Sequence, residues 1–282
     1  NVALKTLTLS ASDKNWDVVG KFSKLDELTL HEPSLEQLEF LPKLWWIKRL
    51  RITHARPKSI NSIARLQNLQ ELILEYVSGF DDISPLAELR NLRALHLENL
   101  RRVSDFSGLG GAASLQYLGV TGTLDWAQPI ESFDFLEYLG HLEIFRLGNI
   151  RCLAPPPTLL GLTKLTSLKK VHIPTNLFPL EDYAFVEARL NGIPGACFEP
   201  FRRVAWRHLD VPEDDIRFHF PQEQLPERFP EVRVRYGGVR QVPDPEAEVF
   251  EFLGKRGGSV RCRGASAHTK CAAFETRYRD MV

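Results

Sequence analysis

The chain has 282 residues, 43% hydrophobic and 26% charged, and its 36 Lys and Arg balance 36 Asp and Glu. That apolar fraction excludes a disordered chain. Zero net charge argues against a dedicated nucleic-acid binder or an electrostatic membrane binder. No apolar run reaches the roughly 18 residues that a bilayer span needs. Residues 1–10 lack the basic-then-apolar order of a signal peptide, and the four cysteines are too scattered for a disulfide framework. These features suit a reducing compartment, so a cytoplasmic protein is expected.

Taken in chain order, the sequence repeats. An L-x-x-L-x-L triplet, with aliphatic or Phe substitutes, begins at Leu4, Leu25, Ile47, Leu69, Leu92, Leu115, Leu142 and Leu168. The intervals are 21, 22, 22, 23, 23, 27 and 26 residues. The last two apolar residues of each triplet are two apart, so they share one face of a short strand. The first enters the same core from the preceding turn. One unit cannot bury such a face alone, whereas stacked units make a continuous core beside a parallel sheet.

The second half of each unit carries apolar residues three apart, as at Phe80, Ile83, Leu86 and Leu89. That spacing suits 3₁₀ or short helical turns, with Asp82 and Asp105 at turn starts. The two longer intervals place extra segments at residues 126–135 and 154–157, expected as surface insertions.

These triplets resemble the leucine-rich repeat family, in its short 21–23-residue bacterial type. The resemblance covers residues 1–176 and implies an α/β solenoid with a curved parallel sheet on the concave face and 3₁₀ or short helices on the convex face. The family often places Asn three residues after the triplet. Here that position holds Ser12, Pro33, Ala55, Val77, Leu100, Thr123, Ile150 and Asn176, so the turn is expected to rest mainly on apolar packing.

Beyond the eighth unit, Tyr183, Val186, Ala188 and Leu190 have helical spacing and precede the breaker Asn191-Gly192-Ile193-Pro194. A capping helix is expected over 177–193, and a small α+β domain over 194–282. Alternation predicts strands at Ile216, Phe218 and Phe220, at Val232, Val234 and Tyr236, and over 248–253 and 259–263. Ser266 reads as the N-cap of a last helix with Cys271, Phe274, Tyr278 and Met281 on one side. Residues 249–279 also resemble a zinc-ribbon tail of some bacterial leucine-rich repeat proteins. Ala265 stands where the second thiolate of Cys262-x-x-Cys belongs, so a degenerate ribbon without metal is expected.

No P-loop, dinucleotide fingerprint, metalloprotease or nucleophile-elbow motif occurs, and no cofactor is expected. The tail from 251 carries seven Lys and Arg against three Asp and Glu, a solvated surface rather than a nucleic-acid module.

The strand residues that alternate with the core must face outward. The central column reads Thr8, Thr29, Arg51, Ile73, His96, Gly119, Arg146, His172. Eight strands give an arc of roughly 34 Å, enough for a standard interface. Arg51, Glu75, His96, Glu98, Tyr117 and Arg146 are the expected partner-binding residues, with no catalytic or metal-binding residue assigned. Tyr76 is a further anchor-type residue. The expected function is non-catalytic protein binding on the concave face, with a toxin-neutralising immunity protein as one form. The alternative is an enzyme or metal-binding effector with its site near His208, His219, Cys262 and His268.

Overall fold

The computed structural model describes residues 4–208, 233–234, 240–243 and 248–282. The chain divides into two compact units, Asn1–Phe198 and Glu199–Met281.

In the first unit every triplet ends in a strand. These are β1 (Thr6–Ser10), β2 (Glu27–His31), β3 (Arg49–Thr53), β4 (Glu71–Glu75), β5 (Ala94–Glu98) and β6 (Tyr117–Thr121). After β7 (Gln128–Ile130), the series continues with β8 (Ile144–Gly148), then β9 (Ile150–Cys152) and β10 (Lys170–His172). One eight-stranded parallel sheet runs β1-β2-β3-β4-β5-β6-β8-β10, and β7 pairs with β9 in a separate ribbon. The fold is a leucine-rich repeat solenoid.

Register never slips. Leu28, Leu50, Leu72, Leu95, Leu118, Phe145 and Val171 lie opposite one another along the sheet. None is more than 2% exposed. A one-residue slip would carry these side chains to solvent, so their burial fixes the register. Short turns form the opposite side: α1 (Leu35–Phe40), α2 (Asn61–Ala64) and 3₁₀ turns such as Ser84–Glu88 and Ser107–Gly111. Asp82 and Asp105 start them as expected, each accepting at 2.8 Å from the backbone N–H two residues on.

The positions where the family often has Asn hold the buried apolar residues Ala55, Val77, Leu100 and Ile150. Apolar packing is joined there by backbone geometry. Glu32, His54, Tyr76, Asn99 and Asn149 each adopt a left-handed φ of 44–56° just past their strands. The first four donate their N–H to the carbonyl of the next unit. A buried amide adds to this at the longer units. Gln128 Oε1 accepts from the Leu100 N–H at 2.9 Å, and its Nε2 donates to the Val103 carbonyl at 2.7 Å. The 126–135 segment thus supplies β7 and a satisfied buried amide, and it buries Ile130, Phe133 and Phe135 instead of lying wholly at the surface, whereas β9 precedes the 154–157 segment.

At the last unit, α3 (Leu180–Arg189) buries Leu180, Tyr183, Ala184 and Val186, while Ala188 faces solvent. The Tyr183 hydroxyl accepts from the Leu177 and Phe178 N–H groups and donates to the Pro174 carbonyl. Burial pushes that hydroxyl up to about 12. Beyond α3 the chain returns beside β10, where the Val171 N–H donates to the Pro194 carbonyl. A Cβ on Gly195, at φ +88°, would lie 1.9 Å from the Val171 carbonyl, so only glycine fits that approach.

The second unit contains β11 (Phe201–Val204), β12 (Trp206–His208), β13 (Arg233–Val234), β14 (Arg240–Pro243), β15 (Val249–Phe252), β16 (Ser259–Arg261) and α4 (Ala267–Arg279). Two antiparallel sheets result, β11-β15-β16 and β12-β14-β13. Phe201 packs edge-on against Phe250 and Phe252, and Phe252 meets Phe274 of α4 at 4.7 Å between centroids. Cys271 and Tyr278 are buried as the helical spacing requires, but Met281 is exposed and the Ser266 side chain makes no capping bond. The strand expected at Ile216, Phe218 and Phe220 lies outside the described residues, as do Val232 and Tyr236.

Leu95→Ala removes one tier of the continuous core and is expected to cost about 2–5 kcal/mol by urea or thermal unfolding. Tyr183→Phe leaves two buried N–H groups without an acceptor and is expected to cost about 1–3 kcal/mol. A loss below about 0.5 kcal/mol for either would contradict its place in the packing.

Candidate functional site

The outward columns of the eight-stranded sheet line up as the register dictates. Arg51, Ile73, His96, Gly119, Arg146 and His172 form the central row, one residue per strand from β3 to β10. Thr53, Glu75, Glu98, Thr121 and Gly148 form the row beside it. Glu27, Arg49, Glu71, Ala94, Tyr117 and Ile144 form the third. All six expected partner-binding residues therefore lie on this sheet, between β3 and β8.

Their electrostatics differ from one another. Arg51 is already engaged: its Nη2 and Nε donate to Glu75 Oε2 at 2.6 and 3.1 Å. Arg49 pairs likewise with Glu27 at 3.1 Å. His96 Nε2 stands 3.7 Å from Glu98 Oε2, longer than a good hydrogen bond. Arg146 is exposed, and no carboxylate among the described residues pairs with it. Positive charge at Arg146 reaches both His96 and His172 and disfavours their protonation.

Between His96 and Arg146 the row is interrupted by Gly119. A Cβ placed there would lie 2.5 Å from His96 Nδ1 and 2.8 Å from the Tyr117 hydroxyl oxygen. Both polar tips therefore lean over the space that the missing side chain leaves. In the next row Thr121 Oγ1 is buried and has no hydrogen-bond partner among the described residues. Gly119 and Thr121 belong to the site by geometry, although neither residue type drew attention in the sequence. Gly119 was readable only as an empty position in the central column.

Burial holds the His96 imidazole below the ordinary histidine value of 6.5, against the opposing pull of Glu98 and Glu75 and with help from Arg146. The neutral ring is therefore the resting form at neutral pH. His172 is lowered by burial first, then by Lys170 and Arg146. The arrangement offers contact chemistry: one unmatched guanidinium, a phenol and a neutral imidazole around a notch.

Other residues singled out in the sequence lie elsewhere. Tyr76 is past the end of β4, 41% exposed, with its ring stacked on His54 at 4.8 Å and 4°. In the second unit Cys271 is buried, Cys262 is half-buried, and His268 is exposed with its ring 6.3 Å from Phe250. Among the described residues no group of three or more His, Cys, Asp or Glu side chains converges on a point. The backbone of His208 belongs to β12, and His219 lies outside the described residues. No described helix is long and apolar enough to cross a membrane.

No protein-family model matches the chain, and no curated protein matches it in sequence. Solved structures similar to it include an internalin of Listeria monocytogenes, 19% identical with a TM-score of 0.48, covering 61% of this chain and 55% of that one. The internalin C2 of the same organism is 24% identical with a TM-score of 0.44, over 61% of this chain and 71% of that one. A leucine-rich repeat protein of Leptospira interrogans is 17% identical with a TM-score of 0.40, over 64% and 53%. The chain thus spans about half the length of the first internalin and of the Leptospira protein.

The charge layout predicts a specific titration. In the window between the lowered folded value of His96 and the ordinary value, the unfolded chain holds more protons, so this residue's contribution to stability falls as pH drops. By NMR the His96 midpoint is expected below 6.5. Glu98→Gln should lower it further and Arg146→Ala should raise it. A midpoint at or above 6.5 would contradict the burial described here.

Proposed function

We propose that the chain is a non-catalytic, cytoplasmic interaction protein that receives a protein partner on the concave face of its eight-stranded sheet. The observation that carries this reading is the contrast among the arginines. Arg49 and Arg51 are matched by Glu27 and Glu75 within the face, whereas exposed Arg146 is not matched by any described carboxylate. A guanidinium left unpaired beside Tyr117 and the Gly119 notch favours a partner that brings its own carboxylate to that place. Once water is excluded, such a charge-assisted pair is a strong and directional contact. Arg51, Glu75, His96 and Glu98 frame it on the neighbouring strands.

Within this reading we favour a toxin-neutralising immunity protein. A sheet whose register is locked by its core presents its side chains already ordered, which lowers the entropic cost of binding and suits tight occlusion of a toxin's surface.

The partner is sought by capture from lysate of the native cell and tested with defined variants. Replacing Tyr117 and Arg146 with Ala should weaken binding by about 2 kcal/mol or more while leaving the melting temperature within a few degrees of the parent. Adding Arg51→Ala should weaken binding further and leave Glu75 unpaired. Unchanged affinity of the folded triple variant would move the interface away from the concave face. The immunity role is checked by co-expression with the captured partner: rescue of growth is expected, and a partner that is harmless when expressed alone would exclude that role.

A further inference from the structure

A second candidate site lies outside the concave face, along the edge where the chain leaves β2 to β5. There a hollow of about 370 Å³ opens among the first residues past the strands. That volume lies within the range of small-ligand sites. It is built by the same repeat that builds the sheet. His54, Tyr76 and Asn99 occupy equivalent left-handed turn positions on successive units, and Arg56, Ser78 and Arg101 follow two residues later on the same units.

The floor is aromatic and fixed. The His54 ring lies parallel to Tyr76, and the His31 ring meets His54 edge-on at 5.4 Å. His31 itself is held by a 2.7 Å hydrogen bond between its Nδ1 and Thr53 Oγ1. The walls are cationic. Arg101 Nε donates to Asn99 Oδ1 at 3.4 Å, which orients the guanidinium while its two terminal nitrogens keep their donors. Neither Arg56 nor Arg101 forms an ion pair among the described residues. The short Ser78 side chain between them leaves the space open. Glu32 is the one carboxylate among the lining residues, so two guanidiniums outweigh it.

Two guanidiniums spaced across an open gap present forks of N–H donors suited to the oxygens of a phosphoryl group, and a stacked aromatic floor suits a planar ring. We propose that this edge hollow binds a small phosphorylated molecule carrying an aromatic ring, with Arg56 and Arg101 on the phosphoryl oxygens and the His54–Tyr76 stack against the ring. The site is separate from the concave residues and does not depend on the protein-binding role.

The test uses the intact protein and phenyl phosphate, with inorganic phosphate, benzoate and phenol as comparison probes, followed by NMR and calorimetry. Phenyl phosphate should bind with a Kd of about 1 mM or tighter and perturb the resonances of His54, Tyr76 and Ser78. Inorganic phosphate should bind more weakly at the same residues, and phenol least. Arg56→Ala with Arg101→Ala should weaken phenyl phosphate about tenfold or more. Both side chains are exposed, so the fold should persist, as checked by circular dichroism. Tyr76→Ala should weaken phenyl phosphate but leave inorganic phosphate unchanged, and Arg146→Ala should change neither. Equal binding of benzoate and phenyl phosphate would overturn the phosphoryl assignment. Phenyl phosphate affinity that survives loss of both arginines, or perturbations confined to the concave strands, would overturn the site itself.

Discussion

The structure depends on one constraint: each unit can bury its apolar face only against the next unit in the same register. Leucine stacks on leucine from β2 to β6, and Phe145 and Val171 continue the row through β8 and β10. Because the pleat has a period of two, this buried row also fixes which residues face outward and which strand neighbours each one has. The notch at Gly119, the Arg51–Glu75 pair and the edge hollow are all consequences of that register. Stability is then a sum over neighbouring contacts, so a defect in one unit is felt mainly by the units beside it.

The turn after each strand shows how a repeat can lose a polar ladder without losing its bend. Bulky residues such as His54 and Tyr76 accept a left-handed backbone that is uncommon for side chains of their size. The interlocking hydrogen bonds to the next unit and the buried residues that follow hold them there. The same conformation sends their rings outward along the edge, where they stack on one another. A device that shapes the backbone thus also sets out a row of aromatic surface.

Charge on this molecule is settled locally, not by its zero total. Lys5 and Lys48 flank Asp26 at 3.0 Å each and hold its carboxyl below the usual carboxylate range. Arg49 and Arg51 are matched on the inner face. Arg146 on the face and Arg56 and Arg101 on the edge form no ion pair among the described residues. Exposed pairs contribute little to stability, so their value lies in which cations they leave over.

The sequence by itself determined the solenoid. Eight triplets at near-constant spacing admit one physical solution, and their alternation assigns every outward column, because burial leaves no freedom of register. It also placed the turn starts at Asp82 and Asp105, the strands over 248–253 and 259–263 and the last helix of the tail, where alternation and apolar spacing act locally. What it left open was every relation between side chains on different units. That Arg51 is neutralised while Arg146 is not, that Gly119 makes a notch, and that Gln128 serves as a buried amide were decided by the tertiary structure. So was the meeting of His54, Tyr76, Arg56 and Arg101 around one hollow. Side chains a full repeat apart in sequence become neighbours about 5 Å apart only when the strands pair, and rotamers, burial and pairing then decide which of them touch.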